Sequence, residues 1–276
     1  MPNSKVLFQD LIKRIHIREH NDEIESIVYM ILEHETGATR SDVMAAREIM
    51  AYDKESLEKI VTRINMHEPV QYILGEADFF RRKFIVNSSV LIPRQETELL
   101  VSAVLKLDLP VSPKILDIGT GSGCIALTLA LELARAELTA TDISEDALKV
   151  AMKNANALGT TVQFLRHDIL HDDIHGCFDV IVSNPPYISS QEKSDMNKNV
   201  VDYEPHLALF SENDPLLFYK NIAAKSRNVL NKNGTVLAEI NEHFSKETLS
   251  VFQAAGFSTC KLVKDLQNKD RIIVAQ

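Results

Sequence analysis

The chain has 276 residues, of which 45% are hydrophobic and 25% are charged, a composition typical of a folded globular protein. Its net charge of −9 argues against tight, nonspecific binding to a nucleic-acid backbone, and no apolar run approaches the ~18 residues that a membrane span needs. With 3 widely separated cysteines and no export signal at the N-terminus, we expect a cytoplasmic protein without disulfides, and we predict no metal site.

The first 75 residues are predicted to form a small helical bundle. Apolar residues recur there at helical spacing, beginning with Leu7, Leu11 and Ile15. Gly37 is expected to end the second helix, and Ser41 to be the N-cap of the third. These helices form a predicted N-terminal domain over residues 1–75.

Residues 76–92 differ from the segments on either side. Two short apolar segments there surround Arg81, Arg82 and Lys83, a pattern that predicts two strands joined by a polar turn. We expect this β-hairpin to link the helical domain to a second domain over residues 93–276.

From about residue 112 the sequence alternates between short apolar strands and helices. The predicted strands lie at 114–119, 137–142, 162–168, 178–184, 235–240, 258–264 and 271–276. Such alternation predicts an α/β fold, in which helices cover both faces of a parallel sheet. Ligands of these sheets bind at the carboxyl ends of the strands, which selects the residues to consider next.

The first of these strands ends in a glycine-rich turn, made of Gly119, Thr120, Gly121, Ser122 and Gly123. Glycine permits positive φ and lets the backbone approach a ligand closely. Asp142 ends the next strand about 20 residues later, where a carboxylate can hold two ribose hydroxyls. Asp117 stands just before the turn, where its carboxylate could accept from a ligand ammonium group. S-adenosylmethionine has an ammonium group and a ribose but no phosphate, so this pattern favours it over a dinucleotide.

The fourth of these strands ends in Asn184, Pro185, Pro186 and Tyr187. Two prolines fix φ and remove two backbone donors, so a rigid loop leaves the strand with its carbonyls free to accept. The Asn184 side chain adds an acceptor, and Tyr187 offers a flat face. Such a loop suits a planar –NH2 group, whose two N–H donors need acceptors. We therefore predict methyl transfer to an amide nitrogen that Asn184 and the Pro185 carbonyl orient beside Tyr187.

Together, these residues resemble the PrmC/HemK family of peptide chain release factor N5-glutamine methyltransferases. The segments that carry the resemblance are PVQYILG at 69–75, VLIPRQETE at 90–98, DIGTGSG at 117–123, TD at 141–142, SNPPYI at 183–188 and DYEP at 202–205. The chain departs from the usual family pattern at Gln95, where proline is common.

The resemblance implies a class I S-adenosylmethionine-dependent methyltransferase fold, which is a Rossmann-like, mostly parallel sheet of seven strands whose last strand is antiparallel. It implies that the glycine-rich turn, Asp142, Asp168 with Ile169, and Asn184 contact the cofactor, which leaves as S-adenosylhomocysteine. Thr97 is expected to approach the cofactor as well. Asn184 through Tyr187 would hold the glutamine in the Gly-Gly-Gln loop of a class I release factor, and the N-terminal helices would help to dock this partner.

Three alternative functions remain open. A DNA amino-methyltransferase acting on adenine N6 or cytosine N4 uses a similar loop, but the acidic chain argues against it, and we expect neither a nucleic acid nor a membrane as a direct partner. A related family that methylates a glutamine of a ribosomal protein tends to have Pro-Arg-Ser-Pro where this chain has PRQETE at 93–98. A noncatalytic cofactor-binding scaffold would be expected to have lost Asn184 or the glycine-rich turn.

Overall fold

The structure is a computed structural model that describes residues 3–17, 20–189, 192–211 and 214–276. Two units are distinguished by their internal packing. The first comprises Met1–Glu76 together with Asn197–Tyr203, and the second comprises Ala77–Met196 together with Glu204–Gln276. The chain therefore leaves the second unit at residue 197 and returns to it at residue 204.

Helices make up the first unit. Helices α1 to α5 are Ser4–Arg14, Asn21–Thr36, Arg40–Met44, Lys54–Asn65 and Val70–Leu74. Their apolar faces form one core, in which Leu11, Val28 and Ile31 are completely buried. Burial of these side chains is what holds short helices together, because isolated helices of this length are marginal in water.

The ends of two helices test the predicted helix boundaries in this unit. Gly37 ends α2 as predicted, in the left-handed conformation with φ of 70°. The prediction that Ser41 is the N-cap of the third helix was wrong by two residues. Thr39 is the N-cap, because its hydroxyl accepts from the Asp42 N–H while the Asp42 carboxylate accepts from the Thr39 N–H, which is a capping box.

A two-stranded hairpin follows, with strands β1 (Glu76–Phe79) and β2 (Arg82–Ile85). Phe80 and Arg81 connect them with φ of 47° and 63°, which matches a two-residue turn that follows the twist of the strands. The hairpin was predicted, but its turn was placed one residue too late. Arg82 and Lys83 lie in β2 rather than in the turn.

The second unit is built on a seven-stranded sheet, as far as the described residues show. Strands β3 to β9 are Lys114–Ile118, Glu137–Asp142, Gln163–Arg166, Phe178–Ser183, Leu230–Glu239, Cys260–Lys264 and Asp270–Ala275. Their order is β5-β4-β3-β6-β7-β9-β8, and the five strands from β5 to β7 run parallel. The final strand, β9, is antiparallel to both of its neighbours, which confirms the predicted fold class.

Consecutive side chains of the central strands pack into different apolar clusters. Ile115 of β3 and Val182 of β6 pack in one apolar cluster, whereas Leu116 and Ile181 pack in another. Successive side chains of a strand point to opposite faces, so both faces of this sheet are covered. This explains why the strands read as continuous apolar runs in the sequence.

Seven more α-helices follow β2 in the described part of the sequence. Those of the second unit lie on these two faces of the sheet. Helices α6 to α12 are Gln95–Leu105, Cys124–Glu132, Glu145–Leu158, Lys198–Tyr203, His206–Leu209, Leu217–Ser226 and Ser245–Ala254, of which α9 (Lys198–Tyr203) belongs to the first unit. Helix α6 was not predicted, although Leu100, Val101 and Val104 occur at helical spacing and are fully buried. In the described part of the chain, we find no helix with both the length and the apolar character to cross a membrane.

The strand order determines where a ligand can bind. From β3 the chain moves outward to β4 and β5, then crosses back so that β6 lies beside β3. Ile118 and Ser183, the last residues of β3 and β6, are direct partners, and the Ser183 hydroxyl donates to the Ile118 carbonyl at 2.7 Å. This switch point brings the glycine-rich turn and the diproline loop together, although they are over 60 residues apart in sequence.

Candidate active site

A cavity of about 330 Å³ opens at this edge of the sheet. Its size falls in the range of small-molecule sites, and all of its lining residues belong to the second unit. The predicted site residues that line it are Thr97, Gly119, Thr120, Gly121, Ser122, Asp142, Asp168, Ile169, Asn184, Pro185 and Pro186. Asp117, Gly123 and Tyr187 are not among the lining residues.

The glycine-rich turn is held against the neighbouring strand. The N–H groups of Gly119 and Thr120 both donate to the Thr141 carbonyl, at 2.8 and 2.9 Å. Gly119, Gly121 and Gly123 have φ of 74°, 56° and 81°, a region that other residues rarely enter. The turn therefore needs its glycines for backbone shape, and this shape leaves room for a ligand above it.

Gly123 and Asn154 fix the turn from behind. A Cβ at Gly123 would lie 2.9 Å from Leu127 Cδ1, so this glycine lets α7 begin close to its neighbours. The buried Asn154 side chain on α8 donates to the Ser122 carbonyl at 2.8 Å and to the Ile85 carbonyl at 2.9 Å. It also accepts from the Ile85 N–H at 2.6 Å, so one carboxamide joins the turn to strand β2. The sequence motifs give no sign of this contact, because Asn154 lies within an ordinary helix.

Asp142 has both oxygens anchored and still faces the cavity. Oδ2 accepts from the Gly121 N–H and Oδ1 from the Ser144 N–H, each at 2.9 Å. Burial raises the pKa of Asp142, and these N–H groups act in the opposite direction. Each carboxylate oxygen can accept more than one hydrogen bond, so Asp142 can hold hydroxyl groups of a ligand while it remains fixed.

Asp117 lies fully buried beneath the turn. Oδ2 accepts from the Thr120 hydroxyl at 2.7 Å, whereas Oδ1 has no hydrogen-bond partner of good geometry among the described residues. Burial raises the pKa of Asp117 to about 7, against the opposing effect of the Thr120 hydroxyl. Thr120 lines the cavity, so Asp117 reaches the site through Thr120 rather than as part of the wall.

The segment around Asp168 forms another part of the wall. Asp168 Oδ2 contacts His171 Nδ1 at 2.7 Å, and Oδ1 accepts from the Leu170 N–H at 2.9 Å. Burial acts to raise the pKa of Asp168, but His171 and the Leu170 N–H outweigh it and lower that pKa. Lys225 on α11 donates to the carbonyls of Ile169 and Asp172, at 2.7 and 2.8 Å, and so holds a segment that has no regular structure of its own.

The diproline loop faces the same cavity from the end of β6. Pro185 is buried and Asn184 is half-buried, and both line the cavity with Pro186. The Asn184 Nδ2 group donates to the Thr97 hydroxyl at 3.1 Å. Thr97 lies in the first turn of α6, the helix that was not predicted. It precedes Asn184 by 87 residues in the chain.

Tyr187 is not among the cavity-lining residues, and its hydroxyl contacts Glu239, a residue that the sequence interpretation missed. The Tyr187 hydroxyl donates to Glu239 Oε1 at 3.2 Å, and the Thr97 hydroxyl donates to Oε2 at 2.7 Å. Burial raises the pKa of Glu239, which these two hydroxyls and the Arg271 charge oppose. Burial and the Glu239 charge in turn raise the pKa of Tyr187. A carboxylate directly after the buried apolar run at 236–238 of strand β7 was the available signal.

Arg94 and Glu204 join two of the sequence motifs. Glu204, which is 4% exposed, accepts from Arg94 Nη2 at 2.5 Å and from the Ile92 N–H at 3.2 Å. Gln95 is the first residue of α6. A residue at that position needs no intrahelical hydrogen bond from its N–H, so both glutamine and proline fit there.

The lining residues define the chemistry that the cavity can support. Asp142 can accept further hydrogen bonds from hydroxyl groups, and the glycine-rich turn lets the backbone approach a ligand closely. Asn184 and the diproline loop offer acceptors to a group with N–H donors. Among the described lining residues, Arg94 is the one Lys or Arg, and Glu204 already pairs with it. This donor set fits an uncharged ribose and adenine better than a phosphate group.

Two family models match the chain. The PrmC N-terminal domain matches residues 8–75, and the methyltransferase small domain matches residues 94–205. The second match includes the glycine-rich turn, Asp142 and the diproline loop. The first match lies within the predicted helical domain.

Curated relatives match most of the chain. The release factor glutamine methyltransferase of Flavobacterium psychrophilum is 43% identical over 259 residues, which cover 91% of this chain and 91% of that protein. The protein of the same name from Bacteroides thetaiotaomicron is 40% identical and covers 92% of this chain and 93% of its own length. Among solved structures, a methyltransferase from Pyrococcus furiosus has a TM-score of 0.53 at 17% identity, over 80% of this chain and 98% of that one, a similarity of fold alone.

Proposed function

This chain belongs to the release factor glutamine methyltransferase family, and from that premise we propose its reaction and substrate. It transfers the methyl group of S-adenosylmethionine to the side-chain amide nitrogen, N5, of the glutamine in the Gly-Gly-Gln loop of class I peptide chain release factors. We expect this reaction in the cytoplasm. One observation carries the proposal: the diproline loop and the glycine-rich turn with Asp142 line the same cavity.

The cofactor site fits S-adenosylmethionine by its donor set. Asp142 would hold the ribose hydroxyls, and the backbone of the glycine-rich turn would lie against the ligand. Among the described residues, Asp117 Oδ1 has no hydrogen-bond partner of good geometry, and a nearby ammonium group would suit it. Asp168 and Ile169 would flank the adenosine part. When bound, the cofactor supplies a methyl group that its positively charged sulfur activates for transfer.

The diproline loop would orient the amide. An amide nitrogen is a poor nucleophile because its lone pair is delocalised into the carbonyl group. The Asn184 oxygen and the Pro185 carbonyl would each accept one N–H, which fixes the plane of the carboxamide and draws electron density toward nitrogen. Positioning of this kind can supply a large part of a rate enhancement. A singly methylated product keeps only one N–H for two acceptors, so we expect the reaction to stop after one methyl.

The three parts of the chain would have different roles in the reaction. We propose that residues 1–75 help to dock the release factor, that residues 76–92 form a linker and that residues 93–276 carry the chemistry. The match of residues 8–75 to the PrmC N-terminal domain supports the first of these assignments. Apart from Ser89, Val90 and Leu91 of the linker, the residues that line the cavity lie within 93–276, which supports the last.

Labelled methyl transfer tests the function. The protein is incubated with methyl-labelled S-adenosylmethionine and a class I release factor, and the modified peptide is identified by mass spectrometry. We expect label on the glutamine of the Gly-Gly-Gln loop and none on a release factor with alanine in its place. Separate reactions contain duplex DNA or ribosomal proteins. Label on either of these, with the release factor unlabelled, would refute the proposal.

Asn184→Ala provides the matched test of the site. Loss of one preorganised hydrogen-bonding group in an active site typically lowers turnover by about 10²-fold, and we expect a loss of that order. Asn156→Ala is the control, because Asn156 is exposed on α8 and lies outside the cavity wall. Both variants should unfold at the temperature of the wild type. Wild-type turnover in Asn184→Ala would contradict the role of the loop.

A further inference from the structure

Glu239 is a buried carboxylate outside the cavity wall, and neither the sequence motifs nor the proposed reaction gives it a role. It is the last residue of β7 and 1% exposed. Burial of a carboxylate is costly unless hydrogen bonds compensate it. Here both oxygens accept from hydroxyl groups, Oε2 from Thr97 and Oε1 from Tyr187. Both donors belong to segments that carry predicted site residues, so the carboxylate lies where it can influence the site.

The contact between Glu239 and Thr97 has a fixed direction. A carboxylate only accepts hydrogen bonds, and a threonine hydroxyl has a single proton to donate. With that proton on Glu239 Oε2 at 2.7 Å, the Thr97 oxygen can only accept from its other neighbour. That neighbour is Asn184, at 3.1 Å, so it must present its NH2 group to Thr97.

This direction determines what Asn184 offers to the cavity. With the NH2 group turned toward Thr97, the carboxamide oxygen is the atom left for a substrate. The opposite orientation would set an N–H of Asn184 against an N–H of the substrate amide, and two donors cannot bond. A carboxamide is nearly symmetric in shape, so packing alone discriminates poorly between its two orientations. A hydrogen bond of defined direction does discriminate.

We propose that Glu239 is a positioning residue which, through the Thr97 hydroxyl, holds the Asn184 carboxamide with its oxygen toward the substrate. The proposal rests on the proposed function, because it assumes that Asn184 accepts from an amide. Thr97 then has a role in the substrate half of the site, beyond the contact with cofactor that the sequence implies. We call Glu239, Thr97 and Asn184 the relay.

The relay can be tested by combining substitutions. Thr97→Val removes the hydroxyl at nearly constant shape, and Glu239→Met removes the acceptor while keeping an unbranched side chain. Each is made in the wild type and in Asn184→Ala, and kcat is measured with both substrates saturating. In the wild type we expect about tenfold to hundredfold losses. In Asn184→Ala the same changes should lower kcat by less than about threefold, because groups that act through one residue are not additive.

Two further variants separate the relay from general effects on folding. Thr97→Ser keeps the hydroxyl and should retain kcat within about threefold, whereas equal losses in the serine and valine variants would overturn the proposal. Thr128→Val is the control for replacing a buried threonine by valine. Thr128 is completely buried on α7, and its hydroxyl has no partner among the described residues. It should retain wild-type kcat. If Glu239→Met does not fold, the Thr97 and Asn184 combination still decides the outcome.

The results also distinguish this proposal from the proposed function. A wild-type protein that transfers no methyl group to release factor glutamine would refute the function itself. If the wild type is active but the losses of Glu239→Met and Thr97→Val persist in full in Asn184→Ala, only the relay is refuted. Cofactor affinity, measured by calorimetry in each variant, shows whether a loss of kcat arises from the amide side of the site.

Discussion

At the scale of single residues, Asp117 shows how one buried carboxylate links the site to pH. Its pKa is raised from the ordinary value of 3.8 to about 7 by burial. The folded protein therefore holds a proton on Asp117 that the unfolded chain has released between these two values. The contribution of this residue to stability is complete below about pH 4 and is lost as the pH rises through 7.

Asp117→Asn tests this linkage, because asparagine has nearly the shape of the protonated acid and does not titrate. Between pH 5 and pH 8, we expect the wild type to lose roughly 3 kcal/mol more unfolding free energy than the variant, since each pKa unit corresponds to about 1.4 kcal/mol. The measurement is urea unfolding at both pH values in the absence of cofactor. Asp146→Asn, an exposed carboxylate on α8, is the control. Equal pH dependence in wild type and Asp117→Asn would contradict the expectation.

At the scale of elements, Lys225 shows how a helix supports a wall that lacks regular structure. Its two hydrogen bonds reach the carbonyls of Ile169 and Asp172, which flank cavity-lining residues of that segment. Hydrogen bonds that involve a charged group contribute about 1.5–3 kcal/mol each. The segment after β5 therefore depends on α11, which lies more than 50 residues further along the chain.

We expect Lys225→Met to weaken cofactor binding by about tenfold, because the segment must be ordered again on binding. Calorimetry gives the affinity, and amide hydrogen exchange over 168–172 reports the loss of order. Lys220→Met is the matched control, since Lys220 is on the same helix and pairs with Asp214 at the surface. Unchanged exchange over 168–172 in Lys225→Met would show that the segment does not need this support.

At the scale of the whole molecule, the two units have separate apolar cores. Leu11 and Ile31 belong to the core of the first unit, and Ile115 and Ile181 to clusters of the second. The cavity is lined by residues of the second unit alone. A ligand that binds only the folded second unit raises the unfolding free energy of that unit. The increase is about 2.7 kcal/mol at a ligand concentration 100 times the dissociation constant.

S-adenosylhomocysteine at that concentration should therefore slow hydrogen exchange unevenly. We expect about a hundredfold slower exchange for globally protected amides of β3 in the second unit, and little change for those of α2 in the first. Mass spectrometry of peptides from the intact protein makes this comparison within one sample. Equal protection of β3 and α2 would show instead that the two units unfold as one.

Local patterns predicted much of this fold and part of the site. The glycine-rich turn, Asp142 and the diproline loop lie at strand ends that apolar runs mark clearly, and the alternation of strands and helices places those ends at one edge. Ser144 and Gly159 cap the two ends of helix α8, and caps of this kind are readable from sequence because they act within a few residues. The sheet itself was predicted because its strands are short apolar runs that alternate with helices along the chain.

The contacts that support the site could not be predicted in this way. Thr97 meets Glu239 across 142 residues, and Arg94 meets Glu204 across 110. Such pairs depend on the packing of α6 against the sheet, and α6 itself was missed. Asp117 stands beside the turn in sequence, yet the structure buries it below Thr120. A motif indicates which residues gather at an edge, whereas burial decides which of them face the ligand.

The diproline loop has a consequence for damaged substrates. Pro185 and Pro186 have no N–H, and the relay turns the NH2 group of Asn184 away from the cavity. A glutamine that has been hydrolysed to glutamate would bring a negatively charged oxygen against carbonyl oxygens, with no proton between them. The diproline loop would then exclude the deamidated chain by electrostatic repulsion. A methylated glutamine would therefore show that the amide was intact when the release factor bound.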